Sequence, residues 1–307
     1  MTKEDVVNQR IIDGENVTRL LDRVSGLDHA KGDPRAKKLI RRIVHDLFAI
    51  IEEEDVSQDE FWAAVSYLTA AGQAREVALL SPGLGFDHFL DLVADKKDQA
   101  AGLKGGTPRT IEGPLYVSGA PLSKGEARLD DGSESGERLV MHGRVIGLDG
   151  KPVAGAIVDV WHADTRGNYS HFDPSQKPFN LRRRIETGPD GRYSFRTVMP
   201  LGYGVPPQGT TQALLDQLGR HGKRPAHIHF FVSAPGFRQL TSQINIAGDP
   251  LLHDDFAFAT RDGLIPDIKR HKGAEPHAEI DFDFVLQPEV AGAPGTVVKR
   301  ERVQGAH

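Results

Sequence analysis

The chain contains no cysteine. Disulfides, thiolate zinc sites and cysteine nucleophiles are thereby excluded, and cysteine usage says nothing about redox compartment. Long apolar runs are missing too. None approaches the ~18 residues of a membrane span. The opening residues, Met-Thr-Lys-Glu-Asp-Val-Val-Asn-Gln-Arg, hold no apolar core of a secretory signal. The expectation is a cytoplasmic protein with no membrane span. Positive charge is not in excess: 38 Lys and Arg stand against 43 Asp and Glu, a net of −5. A nucleic-acid footprint is therefore not expected. Arg182-Arg183-Arg184 is too short to change that and reads as a solvated turn or a local ion-pair site. With only two tryptophans and five tyrosines, the position of each tyrosine carries information.

What is present divides into two grammars. The first hundred residues have helical periodicity. Leu39, Ile43 and Leu47 form one row, and Ile40, Val44, Phe48 and Ile51 the next, giving a broad apolar stripe. Ser57-Gln-Asp-Glu60 is a capping-box pattern opening a helix with Phe61, Val65 and Leu68 on one face. Residues 17–27 and 86–94 read as two more helices, and Ser81-Pro-Gly-Leu-Gly85 as the break between helices. From about residue 110 the period becomes two. Leu139, Met141, Gly143 and Val145 alternate with Arg138, Val140, His142 and Arg144, and strands are expected at Ala156–His162, Tyr193–Val198 and Leu240–Ile246. Ile280, Phe282, Phe284 and Leu286 read as one half-buried strand. In the polar tail, Thr296–Lys299 is a candidate strand. Short strands separated by Gly and Pro turns predict an antiparallel β-sandwich, so the chain reads as mainly β with a helical N-terminal part. Four shortish helices are expected to pack on the sandwich or on a second subunit.

Within the β region, His227-Ile228-His229 lies in a run of strand formers, Ile228, Phe230, Phe231 and Val232. Alternate side chains share a face of a strand. The two imidazoles therefore project together and suit Zn, Cu, Fe or Ni. His142, His162, His171, His221 and His253 remain open as further ligands. Carboxylates are abundant enough to leave a two-histidine, one-carboxylate Fe(II) site open as well. Among the tyrosines, Tyr67, Tyr116 and Tyr193 read as packing. Tyr169 and Tyr203 lie in loops, Gly167-Asn-Tyr169 and Gly202-Tyr203-Gly204. A phenolate oxygen there would favour a trivalent ion, although packing is the ordinary role for each.

Several segments in order resemble the intradiol ring-cleaving dioxygenases: Thr107-Pro-Arg-Thr-Ile-Glu-Gly-Pro-Leu-Tyr116, Val160-Trp-His-Ala163, Gly167-Asn-Tyr169-Ser, Phe179-Asn-Leu-Arg-Arg183, Pro200-Leu-Gly-Tyr203-Gly-Val-Pro-Pro207, Leu218-Gly-Arg-His-Gly222, Arg224-Pro-Ala-His227-Ile-His229 and Asp254-Asp-Phe-Ala-Phe-Ala-Thr-Arg261. The resemblance runs from the N-terminal helices past residue 285. It implies a helical dimerisation region over residues 1–106 and a β-sandwich catalytic domain over 107–307. It implies one non-haem Fe(III) per subunit, held by Tyr169, Tyr203, His227 and His229. The implied reaction is aromatic catabolism: cleavage of catechol by O2 to cis,cis-muconate. Tyr203 is the ligand that catechol displaces, Arg224 stabilises developing negative charge, and Gln243 stands beside the metal's ligands. The substrate pocket falls on Leu79, Pro82, Ile111, Pro114, Leu115, Arg224, Phe256 and Ala257. Hydroxyquinol-cleaving relatives tend to carry an acidic residue where this chain has Leu79, so catechol is the expected substrate. Hydroxyquinol or chlorocatechol cleavage is the alternative within the family, and a non-catalytic metal-binding sandwich the one outside it. A homodimer through the N-terminal helices, with phospholipid at its interface, is also implied.

Overall fold

A computed structural model of the chain describes residues 10–293, 295–298 and 302–304. The chain divides into two compact units, Met1–Ala70 and Ala71–His307. In the first, a short 3-10 turn precedes α1 (Glu15–Val24), α2 (Pro34–Glu53) and most of α3 (Gln58–Gln73). Local chemistry sets their starts. The Asp33 carboxylate accepts from Ala36 N at 2.7 Å, and Pro34 occupies the first turn, where its missing N–H costs nothing. The expected capping box forms: Ser57 N and Oγ donate to Glu60 Oε2 at 2.9 and 2.8 Å. The apolar stripe of α2, however, is left uncovered. That helix has no buried residue, and Ile43 and Leu47 are more than half exposed.

The second unit carries α4 (Val77–Gly83), α5 (Phe86–Ala100) and α6 (Thr210–Gln217). The expected break at residues 81–85 is narrower than the sequence suggests. Ser81, Pro82 and Gly83 complete α4, and the turn is made at Gly85, whose φ of +78° favours glycine. The strands are β1 (Val117–Ser118), β2 (Leu122–Lys124), β3 (Glu126–Arg128), β4 (Arg138–Gly147), β5 (Ile157–His162), β6 (Arg182–Glu186), β7 (Arg192–Val198), β8 (Tyr203–Gly204), β9 (Lys223–Arg224), β10 (His227–Ser233), β11 (Leu240–Asn245), β12 (Lys269–His271), β13 (His277–Asp281), β14 (Phe284–Leu286) and β15 (Val303–Gln304). One sheet runs β11-β10-β5-β6-β2. The other runs β12-β13-β4-β7-β3, with β14 also on β4. Alternate residues of both sheets, among them Val158, Val160, Phe195, Ile228, Phe230, Ile280 and Phe284, form one buried apolar cluster.

Five expectations are corrected. The sheets are mixed, not antiparallel: β2 with β6, β3 with β7, and both β13 and β14 with β4 are parallel pairs. Period-two alternation tells which face of a strand is buried and not which way its neighbour runs, so the sequence pattern carried no direction. Helix also exceeds strand, 28% against 23%, so "mainly β" overstates the sheet content. The run Ile280–Leu286 is two strands. Asp283 Oδ1 accepts from Arg144 N at 2.7 Å and Phe282 O presses on Gly143, which interrupts the ladder. Arg182 is no solvated turn. It opens β6 fully buried, with Nε donating to Ser170 Oγ at 2.9 Å. In the tail, residues 296–298 form no strand, and Lys299 lies outside the described residues. Among the described residues no single helix is long and apolar enough to cross a membrane.

Candidate metal centre and active site

Strand β10 is an interior strand of its sheet, between β5 and β11. Register places Trp161 and Gln243 on either side of His229, and Asn245 beside His227. Cross-strand partners share a face, so these five side chains form one buried polar and aromatic surface. The Trp161 ring lies flat on His229, with centroids 5.0 Å apart and planes 8° apart. The two histidine rings stand nearly perpendicular, and their Nε2 atoms face each other at 3.0 Å. His227 Nδ1 lies 2.7 Å from Pro225 O. The carbonyl can only accept, so Nδ1 carries the proton and Nε2 presents its lone pair.

The tyrosines arrive from two connections. Tyr169 follows β5, and Tyr203 opens β8, in register with Arg224 of β9. Glycine makes the approach possible. A Cβ on Gly167 (φ +83°) would stand 2.8 Å from Gly202 O, and one on Gly202 would stand 2.4 Å from Arg224 O. The Tyr169 ring meets Tyr203 edge-on at 5.3 Å, and Tyr203 lies 5.4 Å from the His227 ring. All four expected ligands thus come together. Tyr169 Oη is buried with no hydrogen-bond partner of normal geometry, although Tyr203 is near enough to influence its ionisation.

Electrostatics prepares this set for a cation. Burial, then Arg224, pushes His227 down to about 3. Burial, then His227, holds His229 well below the ordinary range. Both imidazoles are therefore neutral donors at physiological pH. Burial, then Tyr203, pushes Tyr169 well up, while Arg224 and Arg182 oppose that shift. A phenolate at this depth needs a stronger positive charge beside it, which a bound metal ion provides. The His227 Nε2 lone pair, the facing His229 imidazole and a buried phenol oxygen without a hydrogen-bond partner converge, and they fit a metal of the iron class.

Arg224 ties the site together. Its Nη1 donates to His227 Nε2 at 3.1 Å, its Nη2 to Gln243 Oε1 at 2.9 Å, and Nη2 and Nε to the two Asp255 oxygens at 3.0 and 3.1 Å. Burial opposes its charge, but Asp255 and then Tyr203 outweigh burial and raise its pKa above the ordinary value. Gln243 Nε2 donates onward to Asn245 Oδ1 at 3.1 Å. Asp255 was not singled out from the sequence. It is held by the amides of Ala257 and Ala259, and so belongs to Arg224 rather than to the histidines. Trp161 and Arg182 were missed as well. The Arg182 guanidinium lies over the Tyr169 ring, 5.6 Å from its centroid.

The expected pocket residues separate into groups. Ile111, Phe256 and Ala257 share one buried cluster, with Leu79 packed against it. Leu115 packs instead against the buried cluster of Trp161, Ala163, Tyr169 and Phe231. Pro82 is buried in α4, whose next residue, Gly83, abuts the Phe256 ring. Pro114 is half-buried and belongs to neither cluster.

Residues 111–288 match the family model described as "Dioxygenase", and residues 33–102 the one described as "Catechol dioxygenase N terminus". Catechol 1,2-dioxygenase 2 of Acinetobacter lwoffii is 62% identical, over 86% of this chain and 94% of that protein. The solved catechol 1,2-dioxygenase of Acinetobacter sp. ADP1, inhibited by bound mercury, superposes with a TM-score of 0.93 at 51% identity, covering 96% of this chain and 100% of that one. A hydroxyquinol 1,2-dioxygenase of a Rhizobium species is more distant, 35% identical over 83% of this chain and 90% of its own. The chain belongs to the intradiol dioxygenases of the catechol dioxygenase family, which use non-haem iron.

Proposed function

We propose that this chain is a catechol 1,2-dioxygenase: it cleaves catechol between its two hydroxyl-bearing carbons with O2, yielding cis,cis-muconate. The observation that carries this is the convergence of Tyr169, Tyr203, His227 and His229, with two facing Nε2 atoms and an unpartnered buried phenol. Relatives named for the same reaction, 51–62% identical over most of the chain, support it. The four rings would hold one Fe(III) per chain, whose Lewis acidity and redox capacity would activate a chelated catecholate. The histidines supply neutral ligands and the tyrosines the negative charge that favours the ferric state.

The remaining work falls to the protein's own groups. Tyr203 is less buried than Tyr169 and adjoins Arg224, so it is the ligand assigned to leave and to accept a phenolic proton of the arriving catechol. Arg224, buried and preorganised by Asp255 and Gln243, would face negative charge developing on the ring. Leu79, Ile111, Phe256 and Ala257 form an apolar wall. With Leu79 there, a third hydroxyl would be left without a partner, which favours catechol over hydroxyquinol. We assign residues 1–106 to dimerisation and 107–307 to catalysis. The exposed stripe of Leu39, Ile43 and Leu47 supports a homodimer through the helices, to which we assign phospholipid at the interface and a cytoplasmic location.

Iron analysis and the visible spectrum test this proposal. Iron-replete protein is expected to carry one iron per chain and a red phenolate charge-transfer band that shifts on anaerobic addition of catechol. Admitting oxygen should then release cis,cis-muconate. A colourless protein with bound iron would point to a ferrous site and overturn the ligand set.

A further inference from the structure

A second cluster of metal-binding side chains lies outside this site, on the outer face of the six-stranded sheet. His271 of β12 and His277 of β13 are register partners, and their rings stack with centroids 4.7 Å apart and planes 19° apart. Glu279, two residues along β13, points to the same side and brings Oε2 to 3.0 Å from His271 Nε2. One ligand atom from each of the three lies within 4.8 Å of the others. Four-coordinate zinc needs such atoms roughly 3.4 Å apart, so small side-chain rotations close the set.

Two further observations point to a cation. His277 Nδ1 lies 3.0 Å from Glu275 O. The carbonyl can only accept, so Nδ1 carries the proton and Nε2 keeps its lone pair outward, the arrangement that supports metal-bound imidazoles elsewhere. Behind the carboxylate, His142 of β4 places Nε2 3.5 Å from Glu279 Oε1, an outer partner that fixes which oxygen faces the two histidines. The cluster also has a structural context. β12 is an edge strand joined to the sheet only through β13, and an ion shared by His271, His277 and Glu279 would fasten that edge.

We propose that His271, His277 and Glu279 form a second, solvent-accessible site for a divalent transition ion of the zinc class, distinct from the candidate iron centre.

Zinc itself is the probe. Iron-loaded full-length protein is dialysed against a zinc series, and both metals are measured together with the visible band. The expected result is one saturable zinc per chain beyond the iron, with the band unchanged and the thermal midpoint raised. His277→Ala and Glu279→Gln should each weaken zinc binding by at least ~10-fold, while His253→Ala, at a histidine outside the cluster, should leave it alone. Absence of a saturable site, or unchanged zinc affinity in His277→Ala, overturns the proposal, as does zinc uptake only at the expense of iron. Zinc-edge anomalous scattering from soaked crystals gives an independent check that survives a poorly folding variant. A peak among the three side chains supports the site, and a peak only elsewhere refutes it.

Discussion

Asp255 grips Arg224 through two nitrogens at 3.0 and 3.1 Å, and neither side chain reaches solvent. A buried ion pair of this kind is weak evidence of net stability, but removing one member strands the other charge at a cost of ~3–5 kcal/mol. Asp255→Ala should therefore lower stability by that order. Asp255→Asn keeps the shape and removes the charge. It too strands the Arg224 charge and should lower stability by a similar order, while in the folded protein kcat should fall ~10- to 100-fold through misdirection of Arg224, with a smaller change in KM. Denaturant unfolding and steady-state kinetics on catechol check both. Wild-type kcat in Asp255→Asn would remove Asp255 from the account of the site.

Leu79 tests the pocket. It packs against Ile111, Phe256 and Ala257, and an acid there meets no donor within that cluster. Leu79→Asp should lower kcat/KM for catechol ~10- to 100-fold, corresponding to the ~1–3 kcal/mol of an unsatisfied buried polar group. The loss for hydroxyquinol should be smaller, because its third hydroxyl can pair with the new carboxylate. Equal losses for both substrates would show that Leu79 packs without reading the ring.

The imidazole of His162 sets a pH dependence. Its Nδ1 lies 2.7 Å from Ala163 O and its Nε2 2.8 Å from Thr197 Oγ1. Burial pushes its pKa from 6.5 to about 4, against smaller opposing effects. Above pH 6.5 neither the folded nor the unfolded chain holds the proton. Below it the unfolded chain binds the proton first, so stability falls as pH drops from 6.5 towards 4. The full interval is worth roughly 3 kcal/mol. Burial raises Asp159 from 3.8 to about 6, and its contribution runs the other way in the overlapping range. The comparison must therefore be against His162→Gln. Urea midpoints at pH 7 and pH 4.5 should show wild type losing roughly 2–3 kcal/mol more than the variant, and parallel curves would contradict the assignment.

How much of this was legible depended on the range of the interaction involved. Ser57 and Glu60 are three residues apart, and the capping box was readable because its chemistry is local. His227 and His229 shared a face because a strand has period two. The direction of β13 beside β4 was not readable, since alternation is the same in parallel and antiparallel pairs and the partner lies more than a hundred residues away. The four-ring set came from resemblance: nothing local in Gly167-Asn-Tyr169 says that its phenol meets Tyr203. Asp255 stayed hidden for a related reason. An acid in an apolar run looks like a loop residue until the guanidinium 31 positions earlier is placed on it.

The contact between Gly143 and Phe282 gives the last test, one of backbone packing alone. Gly143 sits in β4 among residues that alternate inward, and from sequence it reads as one more buried position. Its role is space. A Cβ there would stand 1.9 Å from Phe282 O and 2.6 Å from the carbonyl carbon, at the step where β13 gives way to β14. Backbone cannot rotate aside as a side chain can, so Gly143→Ala must displace the interruption itself or separate β4 from its parallel neighbours. A cost at or above the ~1–3 kcal/mol of an overpacked core is expected. Gly72→Ala supplies the contrast. It lies in α3 with nothing within 4 Å of the added carbon, and alanine there should stabilise by up to ~1 kcal/mol through helix propensity. Opposite signs in guanidinium unfolding are the expected result, and a neutral Gly143→Ala would mean that the Phe282–Asp283 step yields more easily than a fixed carbonyl should.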